Sequence, residues 1–179
     1  MFYGNYPLSF DSKQRSQFPV KCRTIILALD TPGLKATLSR EGCLLVMPDA
    51  VWLEKYEELL SMNFEADDYL RIFEGHTEDI AFDTIGRVHF SAGLRSAAKI
   101  EDNAVMLGRG DHFEVWEPSA YETRMAMTRS RAVPAQITQT PMNSKLARIA
   151  KLQAQVLKNK LPELASATAT DTTTDDNET

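Results

Sequence analysis

Phe82-Asp83-Thr84-Ile85-Gly86-Arg87 repeats, 72 positions later, the pattern of Phe10-Asp11-Ser12-Lys13-Gln14-Arg15. The similarity continues on both sides of these two stretches. The matched pairs are Phe18 with Phe90 and Arg23 with Arg95 at the same offset, then Leu44, Val46 and Trp52 with Phe113, Val115 and Tyr121 at an offset of 69. A fixed-offset similarity of this length indicates a duplicated unit. We therefore predict a first repeat over residues 1–62, a connecting helix over 63–75 and a second repeat over 76–127.

Each repeated stretch has the composition of a tight turn. Asp at the first position of a turn accepts hydrogen bonds from backbone N–H groups two residues further on, so Asp11 and Asp83 are the expected turn-shaping residues. Gly86 ends the second turn, where a positive φ costs a glycine little. Gln14 has the same place in the first turn. With short strands before and after, each stretch predicts a β-hairpin with its arginine just past the turn.

The remaining helices and strands are predicted from helix-capping residues, turn residues and hydrophobic periodicity. Pro19 and Ser91 are suited to helix starts after the two turns. Strands are predicted over 34–39, 43–47, 103–108 and 112–116, and each repeat closes with a helix, beginning at Asp49 and at Pro118. Beyond these repeats we predict a linker over 128–142, a basic amphipathic helix over 143–161 and a disordered tail over 162–179.

The composition indicates the cellular compartment and the kinds of site that the chain can form. Hydrophobic residues make up 43% of the 179-residue chain, enough for a core, and no apolar run reaches the length of a membrane helix. With no signal pattern at the N-terminus, we expect a cytoplasmic protein. Cys22 and Cys43 are expected to be small buried thiols rather than a disulfide or a metal pair. The three histidines lack metal-ligand spacing, so neither a metal nor another cofactor is expected.

Charge is unevenly distributed along the chain. The net charge is −5, which argues mildly against nucleic acid as a partner. Acidic residues, however, concentrate between Glu54 and Asp79, whereas basic residues surround the two turns. Those basic residues are Lys13, Arg15, Lys21 and Arg23, then Arg87, Arg95 and Lys99. A net-acidic protein can still carry a basic stripe, because the local charge decides what a surface attracts.

Together these motifs resemble the MraZ family of bacterial transcription regulators, which is built from two SpoVT/AbrB-type halves. The resemblance covers about residues 1–127. It is carried by Met1-Phe-x-Gly, Leu8 to Asp11, Lys13, Arg15, Phe18-Pro19, Gly42-Cys-Leu-Leu-Val, Pro48, Trp52, Asp83-x-x-Gly-Arg87 and Phe113-Glu-Val-Trp116. The chain departs from the family pattern at Gln14, where glycine is usual, at Ser16 and Gln17, where apolar residues are usual, and at Ser91, where proline is usual.

The resemblance implies a fold of the α+β class, mainly β: a duplicated, swapped-hairpin, AbrB-like β-barrel with peripheral helices. It also implies double-stranded DNA as the partner, bound by both turns, and a ring-shaped, octamer-like homo-oligomer. The resemblance further implies that the protein controls the division and cell-wall gene cluster and that it associates with the nucleoid. The candidate DNA-binding residues are Arg15, Arg87, Lys13, Lys21 and Arg23, and the turn-shaping residues are Asp11, Asp83 and Gly86.

The two arginines have a simpler interpretation. Arg15 and Arg87 can each form a salt bridge within its own turn, to Asp11 and Asp83, and so serve only to hold the hairpin. In the functional interpretation the aspartate shapes the turn while the arginine faces phosphate or guanine, both of which suit its planar donor fork.

The sequence shares features with three other classes of function. One aspartate per repeat is also a feature of aspartic peptidases, but Ile85 stands where their Asp-Thr-Gly motif needs glycine, and the nearby arginine would keep each carboxylate ionised. An enzyme is therefore not expected. The 143–161 helix could bind a membrane surface, although it lacks Trp or Phe anchors; packing on the ring or a non-specific DNA arm fits it better. The main alternative is a non-catalytic scaffold of the same fold with little DNA binding.

Overall fold

The computed structural model describes residues 1–30, 33–62, 67–131 and 142–169, with side chains in the last segment described for 145–159. The first repeat contains β1 (Asn5–Ser9), β2 (Arg15–Gln17), α1 (Val20–Leu27), β3 (Leu34–Leu38), β4 (Leu44–Pro48) and α2 (Asp49–Leu60). Helix α3 (Asp67–Gly75) connects it to the second repeat. That repeat contains β5 (Glu78–Ile80), β6 (Arg87–His89), α4 (Ala92–Ala97), β7 (Asn103–Gly108), β8 (Phe113–Trp116) and α5 (Pro118–Ser130), and α6 (Met142–Ala169) follows.

Strands of one repeat pair with strands of the other. Six strands form a sheet in the order β1-β7-β8-β4-β3-β5, and β2 and β6 form a separate two-stranded ribbon. Strand β1 pairs with β7 just as β5 pairs with β3, so exchanging the repeats reproduces the same sheet. The α+β class and the swapped, duplicated arrangement are therefore confirmed.

The pairing register places an approximate two-fold axis through the molecule. In the ribbon Ser16 lies opposite Val88, which is its own counterpart in the second repeat. In the sheet Leu45 lies opposite Glu114, again its own counterpart. Residues that face their own counterparts must lie on the axis, so the duplicated sequence folds as an internal dimer.

The hairpin prediction needs correction. After each turn the chain forms a single bridge, Phe10 with Ser16 and Phe82 with Val88. The strands then separate, and β2 pairs with β6 instead of with β1. Local turn chemistry alone cannot reveal this, because the same turn serves a hairpin and a swapped hairpin. In the part of the chain described here, the edge strands β1 and β5 do not pair with each other, so the sheet stays open rather than closing into a barrel.

One hydrophobic core fills the space between the sheet, the ribbon, α1 and α4. Phe18, Ile26, Phe90 and Phe113 are fully buried within it. Helix α2 packs against β3 and β4 and adds Val51 to this core, whereas α5 packs against β7. Cys22 and Cys43 are buried free thiols. Burial raises the pKa of both, that of Cys43 to about 12, which keeps them protonated at neutral pH.

Helix α6 packs back onto the two repeats. Ile149 and Leu152 are buried, and Leu152 joins the central core. Lys151 pairs with Glu54 of α2 at 2.9 Å, and the Asn159 side chain donates to the carbonyl of Ala28 at 2.9 Å. Helix α6 is therefore held against the two repeats of its own subunit.

The boundaries after the second repeat differ from those predicted. Helix α5 continues to Ser130, three residues into the predicted linker, and α6 ends at Ala169 rather than at residue 161. Residues 162–169, three of them alanines, continue the helix where we predicted a tail, even though Pro162 lies inside it. The rest of the predicted linker (132–141) and of the tail (170–179) lies outside the described residues. Among the described helices, none is apolar over the length that a membrane crossing requires.

Candidate nucleic-acid interface

The first turn, residues 11–14, is organised by one carboxylate. Oδ1 of Asp11 accepts hydrogen bonds from the backbone N–H groups of Lys13 and Arg15, both at 2.9 Å. Oδ2 accepts from Nε and Nη2 of Arg15 at 3.0 and 2.7 Å. These bonds, the Arg15 side chain first, lower the pKa of Asp11 to about 2. The carboxylate is therefore ionised at any physiological pH, and it fixes both the turn and the guanidinium plane.

The second turn, residues 83–86, has the same construction. Oδ1 of Asp83 accepts from the backbone N–H groups of Ile85 and Arg87 at 3.1 and 2.8 Å. Oδ2 accepts from Nε of Arg87 at 2.7 Å. The backbone donor of Arg87 is the main reason why the pKa of Asp83 lies below its usual value. Both aspartates thus accept hydrogen bonds from backbone N–H groups of their own turns, and both intra-turn salt bridges are present.

The two turns lie side by side because the ribbon and α1 tie them together. Nη1 of Arg87 reaches Oδ2 of Asp11 in the other turn at 3.5 Å. Gln17 donates from Nε2 to the carbonyl oxygens of Ile85 and Gly86 at 3.3 and 3.2 Å. We call this unit, turns 11–14 and 83–86 with the β2–β6 ribbon and the first turn of α1, the head.

Gly86 leaves room for Arg23 of α1. A Cβ built on Gly86 would lie 1.2 Å from Nη1 of Arg23, and that nitrogen donates to the carbonyl of Ile85 at 3.1 Å. The φ of Gly86 is +85°, the left-handed region that glycine adopts at little cost. Gly86 therefore has a packing role as well as the predicted conformational one. Arg95, the counterpart of Arg23, lies instead over the ring of Phe10, 4.9 Å from its centroid.

Gln14 adopts a positive φ in the first turn. Its φ is +60°, against +85° for Gly86 in the matching place. The two turns close with the same hydrogen bonds, from the N–H of residue 14 or 86 to the carbonyl of Asp11 or Asp83, at 2.8 and 2.9 Å. The first turn is therefore built like the second, with a residue that pays a conformational cost for it.

Replacing Gln14 by glycine should stabilise the protein. A non-glycine residue in the left-handed region costs the folded state about 1 kcal/mol, and glycine removes this cost. Part of the gain is offset, because glycine also gives the unfolded chain more backbone freedom. We expect Gln14→Gly to raise the free energy of unfolding by up to about 1 kcal/mol in urea titrations. Ser12→Gly, at a position without a positive φ, is the matched control and should lower stability. A loss of stability in Gln14→Gly would contradict this account of the turn.

The structure brings the five predicted DNA-binding residues to the head, but in different states. Arg15 and Arg87 are 29% and 26% exposed and are oriented by their aspartates. Lys13 lies exposed in the first turn and Lys21 exposed on α1. Neither lysine forms an ion pair with any described residue. Arg23, in contrast, is half-buried and committed to the second turn, so it supports the head more than it presents charge.

A second polar cluster, outside the head, was not predicted. Asp111 is fully buried and accepts hydrogen bonds from Nδ1 of His112 at 2.6 Å and from Nε of Arg148 of α6 at 2.8 Å. Nη1 of Arg148 also reaches Glu58 of α2 at 2.5 Å. Burial alone would raise the pKa of Asp111, but these hydrogen bonds outweigh it and hold the pKa well below the usual range. The cluster fastens α6 to the turn between β7 and β8.

His112 makes the fastening sensitive to acid. Burial lowers its pKa, and the charge of Lys55 adds to this, in spite of the hydrogen bond to Asp111. The imidazole is therefore neutral at pH 7 and donates as a neutral N–H. Since the folded pKa lies below the unfolded value, folding disfavours the protonated form.

Stability should consequently fall as the pH drops below about 6.5, the unfolded pKa of histidine. In that range the unfolded state binds more protons, so the free energy of unfolding should rise with pH by up to about 1.4 kcal/mol per unit. Urea titrations between pH 5 and 8 measure this slope. His112→Gln should remove it, while His89→Gln, at an exposed position, should keep it. An unchanged slope in His112→Gln would refute the assignment.

Comparison with known proteins identifies the family. Residues 72–139 match a family model described as "MraZ protein, putative antitoxin-like". The chain is 35% identical to a protein of Verminephrobacter eiseniae (strain EF01-2) over 134 residues, which are 75% of this chain and 94% of that protein. The chain belongs to the MraZ family. The MraZ proteins of Acidovorax sp. (strain JS42) and Ralstonia pickettii (strain 12J) are 35% and 32% identical, again over 94% of their length.

All three MraZ relatives carry the name "Transcriptional regulator MraZ". This is the name of a regulator and not of an enzyme, as expected from the failed match to the aspartic peptidase motif. The aligned region covers most of the chain, so the duplicated fold is that of the family.

Proposed function

We propose that the chain is a sequence-specific, DNA-binding transcriptional regulator that contacts double-stranded DNA through the head. The observation that carries the proposal is the convergence of both turns, each with an aspartate-oriented arginine, on one two-stranded ribbon. A two-stranded β-ribbon fits the major groove of DNA. The names of the relatives support the regulatory role.

The arginines have donors left for a ligand. Asp11 uses Nε and Nη2 of Arg15, and the two aspartates use Nε and Nη1 of Arg87. Within the described contacts this leaves Nη1 of Arg15 and Nη2 of Arg87 without a protein partner. A guanidinium held in one plane loses less entropy on binding than a free one, which favours contacts to phosphate or to guanine.

The net negative charge does not oppose this function, because the head itself is positive, with five basic residues against its two turn aspartates. Seven of the 25 acidic residues lie on α2 and α3, and several of these are already paired: Glu54 with Lys151, Glu58 with Arg148, and Asp67 with Arg71. None of these helices forms part of the head. The head therefore keeps a local positive charge, which is what phosphate contacts require.

The assembly is part of the proposal. Following the family resemblance, the protein acts as a ring-shaped, octamer-like homo-oligomer in the cytoplasm, on the nucleoid, and reads direct repeats upstream of the division and cell-wall genes. The first experiment is to measure binding to the DNA just upstream of its own gene, against scrambled DNA of the same length and composition. We expect at least a thousandfold preference, the lower bound for specific regulators. Equal binding to both would overturn the function.

The scaffold alternative keeps the fold and the oligomer but not the DNA. It is favoured by the commitment of Arg23 and of the Arg15 and Arg87 guanidiniums to turn contacts. Light scattering alongside the binding assay separates the two functions. A defined oligomer without binding to any DNA supports the scaffold, whereas specific binding supports the regulator.

A further inference from the structure

A cavity of about 770 Å³ lies on the face of the sheet opposite the core, between α2 and α5. It contains Leu45 and Glu114, the pair on the approximate two-fold axis. Its volume is in the range of sites for small organic ligands, which is about 300–1,000 Å³. The head is formed by other elements, so this cavity belongs to neither turn.

The floor of the cavity is apolar. It is formed by side chains of two strands, two helices and the turn that follows α2. These are Leu45, Leu59, Met62, Leu107 and Met125. Methionine adapts its shape to different apolar partners, and two of the five are methionines. Such a floor suits a flexible alkyl chain.

The rim of the cavity is cationic. Four arginines line it against two glutamates. Arg109 pairs with Glu114 at 2.9 Å, and Arg124 pairs with Glu41. Arg40 and Arg131 form no ion pair with any described residue; Arg40 lies over the ring of Tyr69, 5.5 Å from its centroid. The rim therefore has a surplus of positive charge and two guanidinium groups whose forks match an anion.

We propose that this cavity binds a small amphipathic anion, a single-chain fatty carboxylate, with the alkyl chain on the apolar floor and the carboxylate on Arg40 and Arg131. Charge complementarity selects the anionic head, and the apolar lining selects the chain. A reporter is built into the site, because Trp116 donates from Nε1 to Glu114 at 3.0 Å and Glu114 in turn holds Arg109. A ligand in the cavity changes the surroundings of Glu114 and Arg109, which line it, and should therefore change the fluorescence of Trp116.

The test is calorimetric titration of the full chain with dodecanoate, with tryptophan fluorescence as the second readout. Dodecanoate should bind at least tenfold tighter than dodecanol. The double variant Arg40→Gln/Arg131→Gln should lose at least tenfold in affinity. Its matched control, Arg71→Gln/Arg129→Gln, changes two exposed arginines on α3 and α5 outside the cavity and should bind like the parent.

The floor is tested by filling it. Met125→Trp should abolish dodecanoate binding, whereas Met127→Trp, two residues away on α5 and 56% exposed, should not. Melting curves check that each variant folds, and light scattering reports its assembly. Three results would overturn the proposal: no binding of dodecanoate, equal binding of dodecanol, or loss of the oligomer in Met125→Trp alone, which would make the cavity an interface between copies. Dodecyl phosphate in place of dodecanoate separates a carboxylate site from a phosphate site, and tighter binding of the phosphate would overturn the choice of head group.

Discussion

DNA carrying several direct repeats of the operator half-site is expected to bind about 10²–10⁴-fold tighter than DNA carrying one. Subunits of a cyclic ring follow one another by rotation, so each presents its head in the same sense along the rim. Successive heads then meet repeats that point in the same direction, spaced near one helical turn of about 10 base pairs. Linking several weak sites on one rigid ring raises their effective concentration, which is the source of the gain.

Discrimination between direct and inverted repeats requires a head with a direction. The fold supplies an approximate two-fold axis through the ribbon, and a perfectly symmetric head would read both arrangements equally. The residues break this symmetry, since Lys13 in one turn is matched by exposed Ile85 in the other, and Gln14 is matched by Gly86. Because of these differences the two turns are not equivalent, and the head can distinguish the two directions of a DNA site.

The experiment compares one repeat, several direct repeats, and the same repeats with one inverted, by fluorescence anisotropy. Inversion should lower the affinity. Ile85→Lys, which makes the two turns more alike, should narrow the difference between the arrangements, and Thr84→Ala, at an exposed position in the same turn, is the control. Equal affinity of the unchanged protein for direct and inverted repeats would sink the ring-reading hypothesis.

Arg148→Ala should be the most destabilising single change of a charged residue on α6. The side chain is 7% exposed and its partner Asp111 is fully buried, so its removal leaves a buried carboxylate without its main cation. Breaking such a pair costs about 3–5 kcal/mol. We expect about 3 kcal/mol, because α6 can lift away and let Asp111 regain water.

The control for this change lies one turn along the same helix. Lys151 pairs with Glu54 but is 67% exposed, so Lys151→Ala should change the free energy of unfolding by less than about 1 kcal/mol. The double variant Arg148→Ala/Asp111→Ala should recover part of the loss, since it removes the stranded charge. Equal decreases in the free energy of unfolding for Arg148→Ala and Lys151→Ala, measured by urea titration, would show that the buried cluster does not hold α6.

The duplication could be predicted from the sequence because its signal is local and repeated. The pattern Asp-x-x-x-Arg appears twice, and Asp11 and Asp83 shape their turns as the residue types require. The exchange of strands could not be derived from the same residues. Pairing of β2 with β6 joins residues some 70 positions apart, and only the resemblance to a swapped-hairpin family pointed to it.

One contact of the head is indicated by the sequence itself. Gln17 departs from the apolar pattern of its strand, and its amide holds the second turn. The Asp111 cluster is not indicated in this way, because an aspartate in a turn and an arginine on a helix 37 residues later have no spacing rule in common. The cavity between α2 and α5 likewise draws its arginines from three separate segments of the chain.

The claim that the head is the DNA-binding surface is tested most directly by the salt dependence of binding. The slope of log K against log[salt] decreases in magnitude by about one for each phosphate-contacting residue that is removed. Lys13→Ala and Arg87→Ala in the head are compared with Lys158→Ala, an exposed lysine of α6 that represents a non-specific DNA arm. The account predicts weaker binding and a smaller slope for both head variants, unchanged melting temperatures, and no effect of Lys158→Ala. Unchanged slopes in the head variants with a reduced slope in Lys158→Ala would place the DNA on α6 and contradict it.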